Sequence, residues 1–464
     1  MGFLMTNSPK PTRIRFSILS MATVVAFLMY LDRICLAEIV GSESFKTNMP
    51  LSQDEVRQWV KWMFFWLPQS WQASLGETSP IVLIKGAFFW AYALAQVPAG
   101  WLSDRFGART LIGVYIAAWS LFTAATSFSW GFTSLMLARL GCGLAEAGYY
   151  PASSGMLTRW AHIDHRGFAS SLISWGGRIG GFLAPVLTTF VILKLGDWRW
   201  AGWIYGFGGV AVAVAFWWVY RDHPKLHPRC NDAEVALLAK GRGEFLPVKS
   251  APRRFPWAAA CGSGNLWFMS CYQFLTNIGW AFLILTLSDY LKEVVKLDAA
   301  TASIITSVVL FIGIAALPLG GLLTDVCARK MGLRWGRMVL LSVTRFLAAG
   351  CYLMALQVDP GNYWLMALFF GAVAFFADMA LPTTWATMQD ISGKYQAQLF
   401  GWANMWGNFG AALQPMLFAY VLKAFDVNKD YSEGILLCAG VFGLAGIVAL
   451  GINAEKPVTK EAVG

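Results

Sequence analysis

Apolar runs of about 20 residues recur along the whole chain, each closed by a short charged break. A helix rises 1.5 Å per residue, so about 20 residues cross the roughly 30 Å hydrocarbon layer of a bilayer. No water reaches the backbone there, and a helix satisfies its own N–H and C=O groups. The pattern predicts twelve spans, at 16–40, 81–102, 109–129, 131–158, 167–194, 199–220, 263–290, 299–324, 337–357, 361–388, 397–423 and 431–453. The first run begins near Phe16 with no small-residue cleavage site behind it, so it is read as a retained span. Between the sixth and seventh spans, Arg221 to Gly262 is charged and proline-bearing, with a short amphipathic helix expected at Asp232–Arg242. The expected fold class is an all-α polytopic membrane protein, twelve transmembrane helices in two pseudo-symmetric six-helix bundles. Its expected domains are 1–220 with an outer insertion at 41–80, a linker at 221–262, and 263–464.

The two sets of six repeat each other. Gly100-Trp-Leu-Ser-Asp104 ends span 2 and Gly321-Leu-Leu-Thr-Asp325 ends span 8, 221 residues later. Gly177-Arg178-Ile-Gly180 through Pro185 in span 5 matches Gly407-Asn408-Phe-Gly410 through Pro415 in span 11, offset by 230. Pro151 and Pro382 fall late in spans 4 and 10, offset by 231. A duplicated six-helix unit is the simplest account, and such duplication is typical of membrane carriers with a central site between their halves.

Composition and charge sharpen this picture. Hydrophobic residues make up 57% of the 464 positions and charged residues 13%, about half the share in a soluble domain. The net charge of +10 raises nucleic acid as a partner, but its distribution argues for lipid. Of 36 Lys and Arg, 22 fall in alternate connections, the central segment and the ends, 10 in the opposite connections and four inside spans. This asymmetry places both termini and the central segment in the cytoplasm. The eight cysteines and four histidines show no C-x-x-C, no metal-ligand grouping and no triad, so no metal, cofactor or enzyme activity is expected. Gly41 to Pro80 is longer than a bundle connection needs. Its Asp54–Trp71 stretch, rich in Trp beside charges, is expected as an interfacial amphipathic helix on the outer surface, with a lid over the outer entrance as the other reading.

The ionisable residues inside spans carry the candidate chemistry, because each costs roughly 2.5–3.5 kcal/mol to insert and usually faces a partner or a wet cavity. Arg139 and Glu146 are seven positions apart in span 4, hence on one helix face about 10 Å apart along the axis. A structural ion pair is one reading. The other is an organic-anion route, which needs a cation in a low-dielectric cavity and an acid whose proton affinity changes between conformations. If an arginine moves between Glu146 and a substrate carboxylate, proton and substrate binding become coupled. Asp32 and Arg33 in span 1 are adjacent and point about 100° apart, so they cannot share one narrow face. Trp385 with Thr383 and Thr384 after Pro382, and Asn404 with Asn408 one turn apart, are pocket or packing residues. Asp378 and Arg345 are expected to pair structurally, and Arg178 is read equally as a pocket cation or a packing group.

Gly100-Trp-Leu-Ser-Asp-Arg-Phe-Gly-Ala-Arg109 closely resembles the signature loop of the major facilitator superfamily, and its degenerate copy follows span 8. Tyr30-Leu-Asp32-Arg33, Phe89-Trp-Ala-Tyr92 with Gln96-Val-Pro98, and Arg139…Glu146-Ala narrow the resemblance to the anion:cation symporter branch, which includes hexuronate, galactonate, sialic-acid and vesicular glutamate carriers. The resemblance implies the major facilitator fold and the following roles. Asp32 and Glu146 are the protonatable acids; Arg33 faces the substrate carboxylate; Arg139 is the ion-pair partner of Glu146; Tyr92 hydrogen-bonds substrate; Trp385 and Asn404 contact the sugar. Gly100, Asp104, Arg105, Gly107 and Arg109 form the conformational latch, with Asp104 and Arg105 closing it between the halves. Gly176 stands where some sugar-acid carriers have glutamine. The expectation is a monomeric, proton-coupled symporter of a small organic anion such as a hexuronate or aldonate, in a bacterial inner membrane. The alternatives are an organophosphate/phosphate antiporter and a transporter-like nutrient sensor.

Overall fold

The computed structural model describes residues 10–66, 68–240, 257–425 and 431–459. Among the described residues the first half runs as α1 (Ile14–Gly41), three short helices α2 (Glu43–Asn48), α3 (Gln53–Met63) and α4 (Gln69–Gly76), then α5 (Pro80–Phe106), α6 (Ala108–Thr126), α7 (Phe132–Glu146), α8 (Tyr149–Trp160), α9 (Arg166–Leu195) and α10 (Arg199–Val219). After the short helices α11 (Asp232–Ala239) and α12 (Trp257–Gly262) come α13 (Gly264–Leu285), α14 (Leu287–Glu293), α15 (Ala299–Leu356), α16 (Tyr363–Met379), α17 (Leu381–Ile391), α18 (Gln396–Phe425) and α19 (Ser432–Ala449). Nine described stretches are long and apolar enough to cross a bilayer, and one of them, 56 residues long, folds back at Gly332 to cross twice. The broken span formed by α7 and α8, together with α18, completes the twelve.

The breaks have local causes. Gly332 takes φ 78° and Gly107 takes φ 88°, a left-handed region that a side chain disfavours, and each turns one span tightly into the next. The polar stretch 325–336, expected as a connection, is helical on both sides of that single residue. Pro151 lacks an N–H and its ring crowds the carbonyl four residues back, at Ala147, so span 4 parts between Glu146 and Tyr149. Pro382 does the same to Asp378, and span 10 parts between Met379 and Leu381. The duplication thus places a helix break at mid-span in both halves, with Glu146 at one break and Asp378 at the other.

Within each half, spans 1 and 5 and their counterparts 7 and 11 lie against each other. A methyl at Gly180 would sit 2.1 Å from the Phe27 carbonyl oxygen, and one at Gly410 would sit 2.2 Å from that of Phe274. Only glycine permits this approach, and the two positions are 230 residues apart, the offset of the repeat.

The insertion after α1 caps the end of the first bundle remote from the linker. Phe45, Val56 and Val60 are buried with Leu31, Ile84, Phe132 and Trp198. The single helix expected at Asp54–Trp71 is two: α3 ends at Met63, and α4 starts at Gln69 with Pro68, which cannot donate to a preceding turn, at its N-cap. Trp62 and Trp66 remain 73% and 66% exposed. At the opposite end, α11 docks on the start of α1. It ends at Ala239, short of the expected Arg242, which lies outside the described residues.

Candidate functional site

At mid-depth of the first bundle, Arg33 of α1 donates from Nε and Nη2 to Oε2 of Glu146, at 3.0 and 2.8 Å. Its guanidinium also lies 4.8, 4.5 and 5.1 Å from the ring centres of Tyr30, Tyr92 and Phe88. Glu146 is fully buried, while the Arg33 side chain keeps 11% exposure. The cation is therefore held by one carboxylate and a cage of ring faces, with its edge still open.

The expected Arg139–Glu146 pair does not form. Two turns of helix separate those residues by about 10 Å along the axis, whereas Arg33 enters from a neighbouring span at the right depth. Arg139 instead donates Nη2 to the Arg33 carbonyl at 3.2 Å, and its Nε and Nη1 are buried without hydrogen bonds. Asp32 points away from Arg33, as adjacent helical residues must, and is wholly buried between α1, α6 and α10. Its Oδ2 lies 3.9 Å from where a Cβ on Gly209 would stand. Neither carboxylate oxygen has a well-formed hydrogen bond, and Arg139 and Glu146 are the charges that act on it. Burying an ionised carboxylate in this way is costly, which makes Asp32 sensitive to any movement of Arg139.

The second bundle meets this set across the interface. Tyr150, at the start of α8, packs edge-on against Trp385 of α17 with ring centres 5.1 Å apart, and Trp385 packs on Phe400 at 4.6 Å. Asn404 donates to Oε1 of Gln96 across the halves at 2.8 Å, and Asn408 donates to the Asn404 carbonyl. Arg178 of α9 reaches Asp378 of α16, with Nη2 to Oδ1 at 2.7 Å. This replaces the expected Asp378–Arg345 pair: Arg345 is buried and donates to the Tyr272 hydroxyl and to the carbonyls of Phe376 and Ala377. Thr383 bonds Thr324 and so ties α17 to α15, while Thr384 bonds the Ala380 carbonyl one turn back in its own helix. Tyr30, Arg33, Tyr150, Arg178, Asn277, Trp280, Asn404 and Asn408 all keep part of their surface exposed although they lie well inside spans, which leaves a space between the bundles. Of these, Tyr30, Tyr150, Asn277 and Trp280, together with the buried Gln96, carried no site role in the sequence reading. The proline breaks were the usable signal for the ring at Tyr150.

Toward the linker end the bundles are latched twice, by the same device. Asp104, at the end of α5, accepts from the backbone N–H groups of Ala397 and Gln398 at the start of α18, at 3.1 and 3.0 Å. Asp325 of α15 accepts from those of Gly167 and Phe168 at the start of α9, at 2.8 and 2.9 Å. Each carboxylate caps the unsatisfied donors of a helix N-terminus in the other half, which is also the positive end of its dipole. Asp390 adds a third tie, bridging Arg166 at 2.9 Å and Arg337 at 3.0 Å. Arg105, expected in the latch, instead lies exposed over Trp101 and Phe106. Arg109 donates to the Trp217 carbonyl, and its backbone N–H goes to Asp222, so it ties α6 to the end of α10 within one bundle. The bundles are therefore closed on the linker side.

Two six-helix bundles closed at one end around polar and charged residues at mid-depth are the build of a membrane transporter. The chain belongs to the Major Facilitator Superfamily, whose model matches residues 59–415 and 269–463. The chain is 25% identical to the "Probable sulfoacetate transporter" of Cupriavidus necator over 379 residues, covering 81% of this chain and 85% of that one. It is 26% identical to the "Probable galactarate/D-glucarate transporter" of Bacillus subtilis over 463 residues, covering 96% and 92%. Against the "D-galactonate transporter" of Escherichia coli it is 25% identical, covering 90% and 92%. Among solved structures, the proton:xylose symporter XylE superposes with a TM-score of 0.69 at 14% identity, covering 96% of this chain and 98% of that chain.

Proposed function

We propose that the protein is a proton-coupled symporter of a small organic anion of the sugar-acid kind, built as bundles 1–220 and 263–464 on a 221–262 linker. The observation that carries this reading is the partly exposed Arg33, held by a buried carboxylate and a cage of Tyr30, Tyr92 and Phe88. The relatives named above for sulfoacetate, galactarate, glucarate and galactonate carry carboxylates or sulfonates, which a guanidinium fork recognises.

In this reading Glu146 and the substrate compete for Arg33. A proton on Glu146 removes the charge that holds Arg33, and the freed guanidinium takes the substrate carboxylate. When the proton leaves, Glu146 reclaims Arg33 and the substrate is released. Asp32 senses the same event through Arg139, which touches the Arg33 carbonyl. Tyr92 holds the guanidinium in place, and Trp385 and Asn404 complete the pocket from the other half. The excess of Lys and Arg at the linker end supports a cytoplasmic placement of that end and of both termini, and the conformation described is the one closed on that side. The protein works as a monomer in a bacterial inner membrane.

The test is uptake by proteoliposomes with and without an imposed pH gradient, using a panel of sugar acids beside neutral sugars. Glu146→Gln is expected to abolish gradient-driven accumulation while leaving exchange of internal for external substrate. Undiminished accumulation by that variant, or uptake confined to neutral sugars, would sink the reading.

A further inference from the structure

Beyond Arg33, the interface contains a second guanidinium with free capacity. Arg178 crosses between the bundles to Asp378 through Nη2 alone, and its Nε is buried without a hydrogen bond. The face of its guanidinium rests 4.1 Å from the centre of the Trp280 ring, a contact that fixes its position without using any N–H donor. Its side chain keeps 16% exposure, compared with 7% for Asp378. The phenol oxygens of Tyr30 and Tyr150 lie within electrostatic reach of both Arg178 and Arg33, so the two guanidinia flank the same pair of rings. The arrangement repeats the first site. In each half a proline breaks the span, an acid sits at the break, and that acid holds an arginine whose edge stays open.

We propose that Arg178 is a second anion subsite, held in reserve by Asp378, and that the preferred substrate is a short dianion. One acidic group of that dianion goes to Arg33 and the other to Arg178. The proposal rests on the organic-anion reading of Arg33 and narrows it to a substrate with an acidic group at both ends. Because Asp378 belongs to the second bundle, the terminal acid of the substrate displaces a cross-bundle tie when it binds. Occupancy of the subsite is thereby linked to the relative movement of the halves. A monoanion of the same length leaves the Arg178–Asp378 pair in place and forgoes that link.

The test uses the full chain in proteoliposomes and matched pairs of solutes that differ only at one end: gluconate with glucarate, galactonate with galactarate, and glycolate with sulfoacetate. Each competes for uptake of the best-transported member. The wild type is expected to prefer the dianion of a pair by about tenfold or more, the worth of one charge-assisted hydrogen bond. The double variant Arg178→Gln with Asp378→Asn removes both charges together, so no lone charge is left buried to unfold the protein. It is expected to collapse that preference, with dianion uptake falling at least tenfold further than monoanion uptake. Equal or better uptake of the monoanion by the wild type, or an equal fall for both members in the double variant, would overturn the subsite while leaving Arg33 as an anion site. Failure of every anion in the panel would overturn the organic-anion reading itself, and the subsite with it.

Discussion

Replacing Gly100 by alanine isolates the conformational part of the reading, because the methyl meets only backbone. An ideal Cβ at position 100 would lie 2.5 Å from the carbonyl oxygen of Ala397, 2.7 Å from its carbon and 3.0 Å from Cα of Gln398. None of these atoms can swing aside as a side chain would. The start of α18 must retreat, and it is the segment whose N–H groups Asp104 holds. Overpacking of this kind costs about 1–3 kcal/mol, and the cost falls on the conformation in which α5 and α18 touch at this end. When that end is open the methyl meets nothing there, so the penalty is a difference between states. It shifts their ratio about 5- to 150-fold toward the form open on the linker side.

The measurement is a distance distribution between spin labels on the linker-end tips of α5 and α18, in wild type and Gly100→Ala. The expected result is a gain of the long-distance population with retained folding and slowed net uptake. Gly440→Ala is the control. Nothing lies within 4 Å of a methyl there, so helix propensity alone acts, with a gain of about 0.5–1 kcal/mol in stability and no shift in the distances. An unchanged distribution in Gly100→Ala, with wild-type uptake, would refute the claim that this contact must part during the cycle.

Three further outcomes follow from other contacts. Asp325→Asn is expected to match Asp104→Asn in both size and direction of the same distance shift, since each carboxylate caps two N–H groups of the opposite bundle; an effect confined to one of them would break the equivalence. Glu234 lies outside the spans. Burial raises its proton affinity, but hydrogen bonds from the Thr12 hydroxyl and the Arg15 and Ile14 backbone N–H groups, with the Arg15 charge, outweigh this and hold its pKa below the ordinary glutamate value. A depressed pKa stabilises the folded state above the unfolded pKa and loses that effect as pH falls through the folded one. Glu234→Gln should therefore lower the thermal unfolding temperature at neutral pH, and the difference from wild type should shrink as the pH falls below the ordinary glutamate range. Trp62 and Trp66 should be quenched by brominated lipid if the insertion lies on the bilayer surface, and their fluorescence should be unaffected if it stands clear as a lid over the entrance.

How much of this was legible in the sequence depends on the kind of regularity involved. Span number and the pseudo-symmetric halves follow from hydropathy and from a repeat at 221–231 residues, and the structure keeps both, while Asp325, known from sequence only as the repeat's counterpart of Asp104, gains its tie to the other half from the structure. Partner choice does not follow from either. Arg139 and Glu146 share a helix and a face, which is the strongest relation a sequence can display, yet the donor that reaches Glu146 comes from α1. Choosing between Arg33 and Arg139 requires the relative depth and rotation of two helices, and these are set by contacts such as those at Gly176 and Gly180 against Thr23 and Phe27. The same limit explains Asp378. Its sequence neighbourhood offered Arg345, but Arg345 is used up on Tyr272 and two carbonyls, and the cation that arrives is Arg178 from the other half.

These partner choices separate the molecule into symmetric and asymmetric parts, and the separation has a functional sense. The latches obey the duplication: Asp104 with Ala397 and Gln398 is matched by Asp325 with Gly167 and Phe168, and the capped residues are offset by 230. Motion shared between the halves requires equivalent contacts to break and re-form at both seams, so symmetry there is expected. The acids at mid-depth obey it, Glu146 and Asp378 standing at equivalent breaks, but the arginines do not. Arg33 and Arg178, each with an edge still exposed, both belong to the first half, whereas Arg345 of the second half is buried on Tyr272 and two carbonyls. On the proposed reading a carboxylate in one wall that holds a cation of the other, as Asp378 holds Arg178, is a contact an anionic solute exchanges for its own. In the proposed cycle the duplicated frame supplies the movement, and the departures from it, at Arg33 and Arg178, set what is moved.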